Sequence, residues 1–292
     1  MKRILITGAD SYIGTSLEHW LLKNVNQYSV ETVDTKNDTW KNKDFSVYDV
    51  VFHVAGIAHA DTGRVSEAEK SRYYKVNCDL AYSVAKKAKS EKVKQFIFMS
   101  SISVYGGNHI KDHMITNETI PKPCNFYGGS KLQAEKKLLT LEDTLFQIII
   151  LRPPMIYGKE SKGNYPILAK IAKNTPIFPK IKNSRSMLHI DNLCEFIRLV
   201  IDNCERGTFF PQNKEYVETS EMVQMIGRVH GKRIILIPGF GWLINLLGRL
   251  PGKVGNLTNK AFGSMQYDMK MSEYKVNYRV NGLAESIRRT ER

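Results

Sequence analysis

The feature that most constrains this chain is a rhythm in its first half. Short apolar runs recur at Arg3–Thr7, Val30–Asp34, Asp49–Ala55, Gln95–Ser100 and Leu145–Leu151, each bounded by polar or glycine-containing turns. Between them lie segments of helical period, such as Tyr12–Leu22, where Ile13, Leu17 and Leu21 share a face, and Ser66–Lys89 and Tyr127–Leu141. A strand that is apolar almost throughout is buried on both faces. Successive strands that lie parallel need a crossover of a dozen or more residues, usually a helix. The pattern therefore predicts an α/β fold, a doubly wound parallel sheet with helices on both faces.

The rhythm breaks after Arg152-Pro153-Pro154, where loops lengthen and Pro166, Pro176, Pro179, Pro211, Pro238 and Pro251 recur. Residues 1–158 are read as the sheet domain and 159–292 as mainly a smaller second lobe, with one strand-helix return near Met187–Asn203. Phe240–Leu250 carries Leu243, Leu246, Leu247 and Leu250 at helical spacing. The reading is core packing, with a helix lying on a membrane surface as the alternative.

Charge narrows the partners. Lys plus Arg number 43 against 29 Asp plus Glu, a net of +14, which favours an anionic partner. The cations are spread along the chain, as in Lys86-Lys87-Ala88-Lys89, and read as solvated helix faces rather than a nucleic-acid site. Cys78, Cys124, Cys194 and Cys204 show no paired spacing for zinc or redox chemistry, so no metal is expected. The chain begins directly with a strand-like run, and no apolar stretch is long enough for a transmembrane segment. The expected compartment is the cytoplasm, with reduced thiols.

Gly8-Ala9-Asp10-Ser11-Tyr12-Ile13-Gly14 falls at the first strand-to-helix turn. Glycines there let the backbone approach a pyrophosphate, and the helix start at Ser11, Tyr12 and Ile13 offers free N–H groups and a positive dipole end. Ser11 stands where the middle glycine of such loops is usual. Asp34 closes the second apolar run, where a carboxylate accepts hydrogen bonds from an adenosine ribose and repels a 2′-phosphate. NAD is the expected cofactor. Lys36 nearby offsets part of the repulsion and leaves NADP possible.

Tyr127-Gly128-Gly129-Ser130-Lys131 opens a helix, and the four-residue spacing puts phenol and ammonium on one face. A cation beside a phenol favours its phenolate, so Lys131 is expected to lower the Tyr127 pKa towards the range of an acid–base catalyst. The pair follows Ser100-Ser101 at the carboxyl end of a strand, where ligands bind in such sheets. His53 and His189 read as packing residues.

With these motifs in order, the sequence resembles the extended short-chain dehydrogenases/reductases, a family that includes UDP-galactose 4-epimerase and nucleotide-sugar dehydratases and reductases. The resemblance rests on the glycine loop, Val51–Gly56, Val76-Asn77, Ser100–Gly106, Tyr127–Lys131, Leu151-Arg152-Pro153 and Arg185–Asp191. It implies a Rossmann-type fold whose second lobe binds substrate. It makes Ser101 the active-site hydroxyl, Tyr127 the acid/base and Lys131 its partner. Ala55 and Gly56 would line the cofactor, Asn77 would support the site, and Arg185 would hold a substrate pyrophosphate. It also implies a homodimer packed through the helices at 66–89 and 127–141.

Two departures stand out. Met155 occupies a position where the family's epimerases often carry asparagine, and before Tyr267-Asp268 only Lys253 and Lys260 stand where a second phosphate-binding arginine is usual. The run Leu151–Gly158 followed by Lys162-Gly163-Asn164 is similar to a bacterial subgroup acting on UDP-N-acetylhexosamine derivatives in surface-polysaccharide synthesis. The function implied is hydride transfer at C4 of a UDP-sugar by a 4-epimerase. A UDP-4-keto-6-deoxy-sugar 4-reductase is the alternative, and a non-catalytic nucleotide-sensing protein the remote one.

Overall fold

Six segments pair in parallel into one sheet: Lys2–Thr7, Tyr28–Val33, Val50–His53, Gln95–Met99, Gln147–Leu151 and Gly207–Phe209. The computed structural model that shows them describes residues 1–58, 66–106, 114–250 and 252–292, without the side chains of 245, 253, 256, 257 and 260. Across the sheet the order is 207–209, 147–151, 95–99, 50–53, 2–7, 28–33. The chain thus steps from the first strand outward to the second, then returns to the first strand's other side for the third. A reversal of this kind opens a crevice at the strands' carboxyl ends.

Alternation along each strand explains the two-sided burial. Ile4, Ile6, Phe52, Ile97 and Ile149 face a layer formed by Leu17 and Leu21 of the helix Tyr12–Leu21 and by Leu193, Phe196, Ile197 and Val200 of the helix Ile190–Asp202. Leu5, Val51, Phe96, Phe98, Ile148 and Ile150 face the opposite layer. There Ala81, Val84, Ala85 and Ala88 pack from Leu80–Ser90, and Ala134 and Leu138 from Phe126–Leu139. Period-two side chains thus divide one apolar strand between two cores.

Several boundaries differ from the sequence reading for local reasons. The second strand ends at Val33, leaving Asp34 just beyond it, where its carboxylate accepts from the Lys36 amide. The strand expected from Leu145 begins at Gln147, because the Asp143 side chain accepts from the amides of Leu145 and Phe146 and holds a turn. The long helix over 66–89 is broken into Glu67–Tyr74 and Leu80–Ser90 by one wider π turn, Lys75–Asp79. The strand Met187–His189 pairs with Met155–Tyr157 instead of joining the main sheet. The sheet's last strand is Gly207–Phe209, a segment with no clear apolar pattern.

In the remainder, the helices Asn164–Asn174, Thr219–Val229 and Leu283–Glu291 bury Tyr165, Leu168, Met222, Val223, Ile226 and Ile287 together. A parallel pair, Ile177–Phe178–Pro179 with Ile235–Ile237, borders them. A small cluster of Val104, Tyr105, Ile115, Met265 and Tyr267 ties this part to the loop after the fourth strand. The stripe at 240–250 does not form core as expected. In the helix Gly241–Arg249 Leu243, Ile244 and Leu247 are half-buried, while Trp242 and Leu246 are exposed, as is Leu250 just beyond it. Among the described residues its main packing neighbour is Lys253–Phe262, and that contact does not cover both sides of the stripe.

Candidate active site

The glycine loop lies against the segment that follows the third strand. Gly8 has φ +104°, and a Cβ there would stand 2.8 Å from the Ala55 amide nitrogen. Only glycine allows the first and third strands' exits to approach so closely. The amides of Gly8 and Ala9 donate to the Val33 carbonyl at 3.0 and 3.3 Å, which holds the loop beside Asp34. Ser11 caps the following helix, its Oγ accepting from the Gly14 amide at 3.2 Å. The serine in place of the middle glycine is therefore a helix cap. The amides of Tyr12 and Ile13, the first of the helix, have no acceptor among the described residues. Two orphan donors at a helix start, a close glycine approach and a carboxylate at the second strand's end fit a dinucleotide. The residues expected to hold NAD are thus brought together at the sheet's reversal. Asp34 is half-buried, with Lys36 Nζ 3.8 Å from its Oδ2.

Beside this loop lies the second group. Asn125 caps the helix Phe126–Leu139 by accepting from the Gly128 amide at 2.8 Å. A side chain at Gly128 would collide with the Ser103 carbonyl, so glycine lets the helix start press against the Ser101–Ser103 loop. The Ser101 hydroxyl and the Tyr127 phenol are brought together here, with Ser101 favouring the phenolate. The Ser101 Oγ also accepts from the Ser103 amide at 3.1 Å. One turn on, Lys131 is buried and donates to the Met99 carbonyl at 2.7 Å, with its Nζ 4.6 Å from the Phe98 ring centre. A Cβ placed on Gly56 would lie 3.0 Å from Asn77 Oδ1 and 3.2 Å from Lys131 Nζ, so Gly56, Asn77 and Lys131 converge. Asn77 sits in the π turn. It accepts from the Ile57 amide at 2.8 Å and donates to the Ile57 carbonyl and to Ser130 Oγ at 3.1 and 3.0 Å. The extra backbone residue of such a turn swings one side chain out of helical register.

The electrostatics depart from the sequence expectation. Burial raises the Tyr127 pKa, and the Ser101 hydroxyl works against that rise. The Lys131 ammonium is directed at the Met99 carbonyl. Burial instead lowers the Lys131 pKa to about 8, with Glu135 opposing. His53 is neutral packing, as read. It is sandwiched between Phe96 and Phe98, hydrogen-bonded to Thr7 at 2.6 Å, and lowered by burial to about 3. His189 is also structural, capping the helix Ile190–Asp202 through its ring.

A buried network beneath this group escaped the sequence reading. Glu135, one further turn along from Lys131, takes a two-pronged bond from Arg152 at 3.1 and 2.6 Å and a bond from Ser100. Arg152 also donates to the Tyr105 hydroxyl at 2.7 Å. The signal was available, because Tyr127, Lys131 and Glu135 stand at i, i+4 and i+8. Arg185 belongs elsewhere, in the second lobe. Its backbone pairs with Val217, its guanidinium donates to the Ala261 carbonyl at 3.2 Å, and burial lowers its pKa to about 10. Met155 is half-buried on its short strand. The side chains of Lys253 and Lys260 lie outside the described residues. The four cysteines are free, and no metal-binding cluster occurs among the described residues.

Comparison with known proteins agrees with this geometry. The model of the NAD dependent epimerase/dehydratase family matches residues 4–211. The UDP-glucose 4-epimerase of Vibrio cholerae is 29% identical over 95% of this chain and 90% of its own length. An Escherichia coli O157:H7 protein, N-acetyl-α-D-glucosaminyl-diphospho-ditrans,octacis-undecaprenol 4-epimerase, is 27% identical over 86% of this chain and 81% of that one. Among solved structures, UDP-glucuronic acid 4-epimerase from Bacillus cereus in complex with NAD superposes with a TM-score of 0.75 at 21% identity. It covers 99% of this chain and 95% of that one, a likeness of fold.

Proposed function

The chain belongs to the NAD dependent epimerase/dehydratase family, and on that premise we propose that it interconverts the C4 epimers of a UDP-hexose or UDP-N-acetylhexosamine. The observation that carries the reading is the grouping of Ser101 and Tyr127 one turn from buried Lys131, at the carboxyl edge beside the nucleotide loop. Near full-length similarity to 4-epimerases supports it.

The Tyr12 and Ile13 amides hold the pyrophosphate of NAD, Asp34 the adenosine ribose, and Ala55, Gly56 and Asn77 line the inner half. NAD, when bound, supplies the hydride acceptor and donor. Tyr127, as its phenolate, accepts the proton of the sugar 4-hydroxyl as the C4 hydride departs, giving a 4-ketone. Ser101 hydrogen-bonds the same oxygen and keeps it in line. After the sugar presents its other face, C4 regains a hydride and Tyr127 returns the proton. Lys131 holds the nicotinamide ribose and supplies positive charge beneath the phenol. Arg185 grips the substrate pyrophosphate, whose charge offsets the cost of burying a guanidinium.

The same proposal divides the chain into a nucleotide domain, 1–158 with the return helix at 190–202, and a substrate lobe in the remainder. It takes the enzyme as a cytoplasmic homodimer packed through the helices near 66–90 and 126–139. Among the described residues no helix is long and apolar enough to cross a membrane. Met155, standing where related epimerases often carry asparagine, favours a second reading, a 4-keto-sugar reductase with exchangeable NAD(P)H.

One experiment separates them. An epimerase ends each cycle with its cofactor as it began and gains nothing by releasing it, whereas a reductase consumes one reduced nucleotide per turnover. Purified protein is denatured and its released nucleotide quantified, alongside assays on UDP-hexoses without added nucleotide and on a UDP-4-keto-6-deoxy sugar with NADH. Bound NAD(H) with unaided interconversion is expected. Protein free of nucleotide that oxidises NADH in step with keto-sugar reduction overturns the epimerase reading.

A further inference from the structure

The helix Gly241–Arg249 turns its largest side chains to solvent. Trp242 is 69% exposed, Leu246 53% and Leu250 44%, spaced i, i+4, i+8 on one face, and Phe240 just before the helix is 42% exposed. Single exposed leucines are ordinary, but a tryptophan and two leucines in register along one helix are not. The opposite side is engaged. Leu243, Ile244 and Leu247 are half-buried, and Asn259 of the following helix donates to the Gly248 carbonyl at 2.9 Å.

The stretch of chain that carries this face is basic. Between Glu221 and Asp268 the sequence has no acidic residue, while Arg228, Lys232, Arg233, Arg249, Lys253 and Lys260 are basic. Lys180 and Lys182 line a cleft of about 480 Å³ with Pro238, Ile244 and Phe262, at the base of the same helix. Both lysines and Arg249 are exposed, and none has an ion-pair partner among the described residues. An apolar stripe with tryptophan, in a basic stretch of chain without carboxylates and with exposed Arg249, Lys180 and Lys182 near the same helix, has the chemistry of a helix lying in a lipid headgroup layer.

We propose that the face formed by Trp242, Leu246 and Leu250 docks on an anionic lipid bilayer, with Arg249, Lys180 and Lys182 against the headgroups. The helix does not span; it rests in the interface, with the indole at headgroup depth. This inference stands apart from the epimerase reading, since none of its residues is among those assigned to cofactor or sugar.

The test uses the full chain with vesicles of phosphatidylcholine alone or with 30% phosphatidylglycerol (about one lipid in three anionic, a charge density that engages clustered cations). Co-sedimentation is expected with the anionic vesicles only and should weaken with salt. Brominated lipid is expected to quench the Trp242 fluorescence. Trp242→Phe should keep binding and lose that quenching. The double variant Trp242→Ser/Leu246→Ser should abolish binding with unchanged circular dichroism, because both side chains are already in solvent. Lys180→Ala with Arg249→Ala should weaken partitioning about 25-fold, roughly fivefold per charge. Absence of sedimentation, or equal binding to neutral vesicles, overturns the proposal. So does a dimer in light scattering that dissociates on Trp242→Ser/Leu246→Ser while vesicles are ignored, since a second copy then covers the face.

Discussion

Replacing Lys131 by methionine should make the protein more stable at neutral pH while disabling it. Lys131 is 4% exposed, and burial brings its pKa from 10.5 to about 8. Below pH 8 the ammonium is charged in both folded and unfolded chains, so the full cost of burying it is present. Between about 8 and 10.5 the unfolded chain binds the proton and the folded one does not, so stability climbs with pH through that window. Above it the group is neutral in both states and the penalty is gone. A shift of about 2.5 units at 1.36 kcal/mol each is a penalty of about 3 kcal/mol. Methionine fills nearly the same volume without the charge but forfeits the bond to the Met99 carbonyl, worth about 1 kcal/mol. The variant is therefore expected to gain about 2 kcal/mol at pH 7 by urea unfolding, and the gain should shrink towards zero or reverse by pH 10. Its turnover on any 4-hydroxy or 4-keto nucleotide sugar should fall by about 10² or more. A variant less stable than the parent at pH 7, or a gap that does not narrow as pH rises, would refute the account of Lys131 as a strained, functional cation.

The remaining predictions concern the groups on either side of it. Tyr127→Phe should keep fold and cofactor affinity and lose on the order of 10²–10⁴ in turnover, read by steady-state kinetics and nucleotide titration; near wild-type turnover would remove Tyr127 from the chemistry. Glu135→Gln leaves Arg152 buried without its carboxylate, so denaturant unfolding should report a loss of about 3–5 kcal/mol. The same variant lowers the Lys131 pKa further, since Glu135 supports that charge, and should move the alkaline limb of the pH–rate profile to lower pH.

What the sequence made legible was what local physics decides. The apolar runs identified five of the six strands, because a strand buried on both faces must be apolar at consecutive positions, as in Gln147–Leu151. The sixth, Gly207–Phe209, has a glycine and a threonine and is recruited by pairing with Ile149–Leu151, a long-range decision that no window of sequence contains. The candidate site was legible for a related reason. Tyr127, Lys131 and Ser101 hold their places through one helix period and one strand end, whereas the carboxylate and guanidinium beneath them meet across 17 residues of chain, joining a helix to a later strand. The charge state of Tyr127 was misjudged on the same ground. Helical spacing brings Lys131 to the right face, but the fold decides where the ammonium ends, and here it reaches the Met99 carbonyl. The stripe at 240–250 shows the limit from the other side. Its apolar face was read correctly and its destination was not, since periodicity reports that a face is apolar but cannot report what covers it. In this fold the helix packs mainly on Lys253–Phe262, and Trp242 and Leu246 stay exposed.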